Sequence, residues 1–200
     1  MKTVKRIFQS SCILLLAISS LHVHKAEAEL RKSINGAFGF KLGDIFSSEN
    51  LVVKSVERKD EWGATYKIIP ENTLDGFSTY RVSVDRKERI ISIKAFGAPE
   101  NHAESVSLQE SLEALYSGYH KYLEREELYN GEQFSLGIVD RQKSPRRVIS
   151  FVYWYDSERG LGWSITYNHR ALAVENLRAQ ANAIREKRKK KAEATYNSTL

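Results

Sequence analysis

The chain has 200 residues, a formal net charge of +6, 42% apolar and 28% charged residues, and one cysteine. Such values are ordinary for a soluble globular protein. The lone Cys12 falls in the leader described next, so the body has no disulfide, no thiolate metal site and no cysteine nucleophile.

Residues 1–28 read as a secretory signal peptide. Lys2, Lys5 and Arg6 form a positive start, Cys12 to Leu21 an apolar run, and Ala26-Glu27-Ala28 a small-x-small cleavage site. The run is short of the roughly 20 residues a membrane span needs. Cys12 opens it rather than following it, so it is not a lipidation site. Lys2, Lys5, Arg6 and Lys25 against Glu27 leave the leader at +3, so the mature chain carries the other +3 of the total +6. Residues 185–191 (REKRKKK) alone hold six positive and one negative charge. The basic character is therefore expected in the tail and not as a basic face on the fold.

Beyond the leader, Gly36-Ala37-Phe38-Gly39-Phe40-Lys41-Leu42-Gly43 superficially suggests a phosphate loop, but no Gly-Lys-Ser/Thr end follows. It reads as an apolar plug with Phe38 and Phe40 buried and tight turns at each end. Leu51–Glu57 and Ala64–Ile69 read as strands. Phe77–Asp85 and Arg89–Phe96 form a hairpin setting Val84 opposite Ile91, Val82 opposite Ile93 and Tyr80 opposite Ala95. A helix is expected over Ser107–Leu128. Ser107 and Glu110 suggest its capping box, and Leu108, Leu112, Leu115, Tyr119, Tyr122 and Leu123 an apolar stripe with Gly118 inside it. Gln133–Asp140 is a further strand, followed by a basic loop around Pro145.

Val148–Tyr167 is the most aromatic stretch of the mature chain and reads as a hairpin. Its alternation pairs Tyr155 with Leu161, Tyr153 with Trp163, Phe151 with Ile165 and Ile149 with Tyr167 on one buried face. The other face is mixed, with Trp154 over Gly162. After Asn168, the expected cap, a helix with a thin seam of Val174, Leu177, Ala181 and Ile184 runs into the basic tail.

The expected fold is α+β, a mostly antiparallel sheet in the order roughly β-β-β-β-α-β-β-β-α. One amphipathic helix packs on it and a basic helix ends the chain. The domain divisions are 1–28 signal peptide, 29–168 a single α+β domain, and 169–200 the C-terminal helix with its basic tail.

No reaction is named by these residues. His102, His120 and His169 are not spaced as zinc ligands, and His120 with Glu124 reads as a surface pair on the expected helix. Neither a Gly-x-Ser-x-Gly elbow nor a His-Glu-x-x-His motif is present. No catalytic residue, metal ligand or cofactor is assigned. Candidate binding residues are Trp62 and Trp154, as an aromatic platform, and Asp156 and Glu158 in the loop beside Trp154. Arg185, Lys187, Arg188, Lys189, Lys190 and Lys191 suit an anionic surface. Nucleic acid is not expected, since the tail carries no aromatic residue except Tyr196. Asn197-Ser198-Thr199 fits a glycosylation acceptor, relevant only in a eukaryotic source.

Phe38-Gly39 with Leu42-Gly43, Tyr66-Lys67-Ile68-Ile69-Pro70, Phe77–Tyr80 with Val82 and Val84, and Ile90–Gly97 form a pattern. Leu112, Leu115 and Tyr119 continue it, and Ile165-Thr166-Tyr167 with Leu172 completes it. The chain thereby resembles small exported bacterial proteins of unknown function. Such proteins often carry a cysteine where this chain has His102-Ala103-Glu104-Ser105. The resemblance implies an envelope location, periplasmic or extracellular, and no assigned activity. The leading expectation is a non-enzymatic binding or interaction module for a protein or envelope component, without a transmembrane span after cleavage. The alternative is a small secreted hydrolase using Asp156, Glu158 and His120.

Overall fold

Charge is concentrated in two strand-forming stretches, VVKSVERKD and HKYLEREEL, and these take the edges of the sheet. A computed structural model describes residues 33–47, 52–128, 130–140, 147–158 and 160–197. The leader, the basic loop around Pro145 and Ser198-Thr199 lie outside the described residues. The elements are β1 (Gly36–Ala37), β2 (Phe40–Lys41), β3 (Val52–Asp60), β4 (Gly63–Ile69), β5 (Phe77–Asp85), β6 (Ile90–Gly97), α1 (His102–Leu115), β7 (His120–Leu128), β8 (Gly131–Val139), β9 (Arg147–Asp156), β10 (Gly160–His169) and α2 (Arg170–Asn197).

Eight of the strands form one antiparallel sheet in the order β3-β4-β5-β6-β10-β9-β8-β7. A four-strand meander followed by a helix therefore occurs twice. The two meanders join through β6 and β10, their last strands. Of Asp, Glu, Lys and Arg these two strands hold only Lys94, which suits strands flanked by neighbours on both sides. The first strands, VVKSVERKD and HKYLEREEL, are charged and lie at the two edges, where unpaired backbone must face water and charge discourages further pairing.

Registration of the alternating patterns makes continuous apolar rows on the inner face. Ile68, Tyr80, Ala95, Ile165, Phe151 and Leu136 form one row; Tyr66, Val82, Ile93, Tyr167, Ile149 and Ile138 form the next. All are buried except the half-buried Tyr66. The β9–β10 register is the one expected, with all four apolar pairs in place, but the expected burial stops short of Tyr155, which is exposed at the end of β9. In the β5–β6 hairpin, Val82 faces Ile93 and Tyr80 faces Ala95 as expected. A bulge sets Val84 against Ile90 instead of Ile91.

Two covers close the inner face. One is the Gly36–Phe46 plug, with Phe38 and Phe40 buried as expected. Phe38 lies edge-on to Tyr80 at 5.0 Å and to Tyr167 at 6.1 Å, and Phe46 stacks on Tyr66 at 4.7 Å. Backbone bonds from Gly43 to Ile90 and from Ile90 to Asp44 stitch the plug to the start of β6. Phe38 takes φ +57°, a costly conformation for a bulky residue; the contacts of its buried ring hold it there.

The second cover is α1, and here the expected Ser107–Leu128 helix is corrected. The helix starts five residues earlier and ends at Leu115, and residues 120–128 are a strand. Its cap is Asn101, whose side chain accepts from the Glu104 amide at 3.1 Å, while the Glu104 carboxylate accepts from the Glu100 amide. Ser107 is inside the helix. Of the expected stripe only Leu112 is fully buried; Leu115, Tyr122 and Leu123 are exposed. Gly118 lies in the turn between α1 and β7. Residues 120–128 have good helix formers, but nine paired positions with β8 override that preference. The observed order thus has one strand more than expected after the first helix.

The seam expected on α2 is also corrected. Leu177 is 61% and Ile184 50% exposed. Of the expected seam Val174 is half-buried, on a side that runs Leu172, Ala173, Val174, Asn176, Ala179, Gln180 and Ala183. Ala173 and Asn176 line a cleft of about 270 Å³ with Thr65, Ser83, Ser92, Asn168 and Trp62. Small and amide side chains face this hydroxyl-rich part of the sheet, which a leucine seam would leave unsatisfied.

His169, not Asn168, caps α2: its Nδ1 accepts from the Leu172 amide at 3.3 Å, and its ring is buried. Burial, with Arg147 and Arg89 nearby, pushes its pKa below 6.5. The unfolded chain then binds the proton more tightly, so stability falls as pH drops from 7 through 6.5 towards the folded value. Thermal unfolding between pH 7.5 and 5 should show that decline, with loss of the cap costing about 1 kcal/mol. His169→Asn should retain a cap and lose this component of the pH dependence. An unchanged pH dependence in that variant removes the assignment.

Candidate binding face

Outward-pointing residues of the same strands make a second, polar face. Position by position across the sheet, one row reads Lys67, Arg81, Lys94, Thr166, Ser150 and Gly137, ending at Tyr122 on the edge strand. Seven strands at about 4.8 Å spacing give this row a length of about 29 Å.

Its first three members are cations directly opposite one another on β4, β5 and β6. Like charges so placed destabilise a sheet. The Phe96 ring partly relieves them, with the Arg81 guanidinium 4.6 Å and the Lys94 ammonium 4.4 Å from its centre. Glu57 accepts a hydrogen bond from Arg81 at 2.5 Å. Among the described residues it is the one acid paired with this row. Burial and the repulsion of Arg81 push the Lys94 pKa down, a sign that its charge is not fully compensated. The sequence expectation of no basic face on the fold is thus corrected. Three cations scattered over 28 positions of the chain converge through strand pairing.

Aromatic rings complete the face. The Trp154 indole covers Gly162, as expected, and the Tyr122 phenol covers Gly137. A Cβ on either glycine would fall within 2.5 Å of those rings. Both rings therefore lie low on the sheet, and the Thr166 and Ser150 side chains of the row are half-buried.

The other candidate residues are dispersed. Trp62 is half-buried in the β3–β4 turn, where its amide donates to Asp60 and its carbonyl accepts from Asn176. Trp62 lies near the Asn168 end of the sheet, whereas Trp154 faces Gly162. The six-residue step along β10 is about 20 Å, so the two tryptophans do not form one platform. Asp156 accepts from the Glu158 amide, and Glu158 accepts from the Asn130 side chain. These acids tie the β9–β10 turn to the β7–β8 turn. His120 and Glu124 share an edge strand, about 13 Å apart, and not a helical turn. His120 and Asp156 lie at opposite ends of the β7–β9 strands, about 26 Å apart.

The described cations Arg185, Lys187, Arg188, Lys189, Lys190 and Lys191 are all exposed on α2. Lys187 reaches Glu61 at 3.3 Å; beyond it every described side chain faces solvent. Among the described residues no group of three His, Cys, Asp or Glu side chains is placed to hold a metal. No helix among them is long and apolar enough to cross a membrane. No family model, curated protein or solved structure matches the chain.

Proposed function

We propose that the protein is a non-catalytic binding module of the bacterial envelope, exported by the residue 1–28 leader. Its outer sheet face holds an anionic polysaccharide. The observation that supports this reading is the Lys67–Arg81–Lys94 row. Three facing cations repel one another, Glu57 and Phe96 offset that only in part, and an anion lying across them offsets the rest. The hydroxyls of Thr166 and Ser150 and the ring of Tyr122 extend the row as polar and aromatic contacts for a polymer. The basic end of α2 acts in the same sense, because Arg185 and Lys189 repel at helical i,i+4 spacing until neutralised. The leader pattern and the resemblance to small exported bacterial proteins agree with an envelope setting. A hydrolase built on Asp156, Glu158 and His120 has no such support, since the acids serve a turn and the histidine is remote from them.

The test uses the mature protein on immobilised dextran sulfate and on uncharged dextran. Each exposed cation near an anionic surface contributes about 1 kcal/mol. The triple variant Lys67→Gln, Arg81→Gln, Lys94→Gln should therefore bind dextran sulfate about 10–100-fold more weakly at low salt. Its unfolding midpoint should stay level or rise, because the repulsion is gone. Deleting residues 185–200 should leave the fold intact and lower retention independently, also on anionic vesicles. Equal dextran sulfate binding by wild type and triple variant would overturn the reading.

A further inference from the structure

On the inner face, strand pairing builds an aromatic ladder. Arg125, Phe134, Tyr153 and Trp163 are successive partners across β7, β8, β9 and β10. Phe134 and Tyr153 stack at 4.9 Å, and Trp163 stacks on Phe77 at 5.1 Å. The next positions along β8, β9 and β10 are Glu132, Tyr155 and Leu161. Here neither the plug nor the body of α1 covers the sheet. The His102 ring at the start of α1 stands edge-on to Tyr153 at 5.6 Å. The result is a cleft of about 340 Å³ lined by His102, Glu132, Phe134, Tyr153, Tyr155 and Leu161, within the size range of small-molecule sites.

We propose that this cleft is a second binding site, separate from the outer face, for a quaternary ammonium group. Ring faces attract cations through their quadrupoles, and a carboxylate at the rim adds to that attraction. The chain itself reveals the preference. The Arg125 guanidinium sits 5.3 Å from the centre of the Phe134 ring and pairs with Glu132. Tyr155, largely exposed, and Leu161 remain as walls for a further cation, with the buried Tyr153 beneath them. Glu104 in the first turn of α1 offsets the positive end of that helix beside His102.

The chemistry favours a fully alkylated ammonium over a primary one. A lysine-type ammonium has three donors that need acceptors, and these walls offer mostly carbon. A trimethylammonium has no donors to satisfy and places methyl groups against the rings and Leu161. Its desolvation is correspondingly cheaper.

The probe is choline chloride, titrated into the mature protein and followed by intrinsic fluorescence and by calorimetry. The neutral isostere 3,3-dimethylbutan-1-ol and ammonium chloride serve as controls. Choline should saturate one site at millimolar concentration, and both controls should bind at least about tenfold more weakly. Tyr155→Ala and Glu132→Gln should each weaken choline binding about 3–10-fold. Tyr155 is 53% exposed, so its variant is expected to fold. Unchanged unfolding midpoints exclude a loss of structure as the cause. The Lys67→Gln, Arg81→Gln, Lys94→Gln variant should bind choline as wild type does, which separates this site from the outer face. Absence of saturable choline binding, or an isostere that binds equally well, would overturn the proposal.

Discussion

Phe151→Ala is expected to lower the unfolding free energy by about 3–5 kcal/mol, the range for removing a buried phenylalanine without full collapse of the cavity. Phe151 is 0% exposed. It sits between Leu136 and Ile165 across the sheet and touches the rings of Tyr153 at 5.8 Å and Trp163 at 6.3 Å. Neighbours fixed by strand pairing cannot move into the void without breaking the ladder of hydrogen bonds. Tyr155→Ala, on the same strand and the same face, is the internal control, and its cost should be far smaller. Urea unfolding of both variants reads the difference. A Phe151→Ala midpoint equal to wild type would remove the hairpin from the core.

Asp85→Ala should cost about 3 kcal/mol, the low end for breaking a buried ion pair, because Arg89 retains some solvent. The Asp85 side chain is 1% exposed and Arg89 23%. One carboxylate oxygen accepts from the Lys87 and Arg89 amides at 2.9 and 3.0 Å, and the other from Arg89 Nε at 2.8 Å. Arg89 also donates to Glu175 of α2 at 3.1 Å. Removing Asp85 therefore loosens the β5–β6 turn and its tie to α2 together. Burial alone would raise the Asp85 pKa, but the hydrogen bonds from Arg89 and the turn amides outweigh it and hold it below 3.8. The stabilisation is fully present above the unfolded carboxylate value and is lost as pH falls through the lower folded one. Denaturation between pH 5 and 2 should show wild type losing more stability than Asp85→Ala. Parallel pH curves would show that the pair contributes nothing.

The hairpins and the plug were legible in the sequence because their information is local. In Val148–Tyr167, period-two alternation on both strands admits one register that sets all the apolar pairs on one face, and that register is the one found, with Tyr155 at its end left exposed. The Phe38–Phe40 plug follows from apolar residues between turn formers. The expected helix is found over Ser107–Leu115, but residues 120–128 form a strand instead, because Leu, Glu and Arg satisfy a helical stripe as well as an edge strand. An edge strand is decorated with charge, which hides the alternation that marks a strand. On α2 the seam of Val174, Leu177, Ala181 and Ile184 holds only at the half-buried Val174, for a related reason. The helix packs against a hydroxyl-rich part of the sheet, where alanine and asparagine fit better than leucine.

The candidate site was legible only in part. Pairing Val82 with Ile93 already implied that Arg81 faces Lys94, but Lys67 joined them only through the β4–β5 register. Phe96 joined through its position over both cations. Trp154 over Gly162 followed from the hairpin alone, whereas the separation of Trp62 from Trp154 depended on where each turn lies on the finished sheet.

Local pattern was therefore enough to establish an antiparallel α+β fold, the inner face of the central hairpin and the basic end of the last helix. These follow from alternation, turn residues and charge runs, which act over a few positions of chain. The joining of two four-strand meanders through β6 and β10, the facing cations and the aromatic cleft were decided by tertiary structure. Each depends on which strands lie side by side, and that is chosen by placing strands with little charge at the centre, β10 having no Asp, Glu, Lys or Arg and β6 only Lys94, and leaving the most charged ones at the edges.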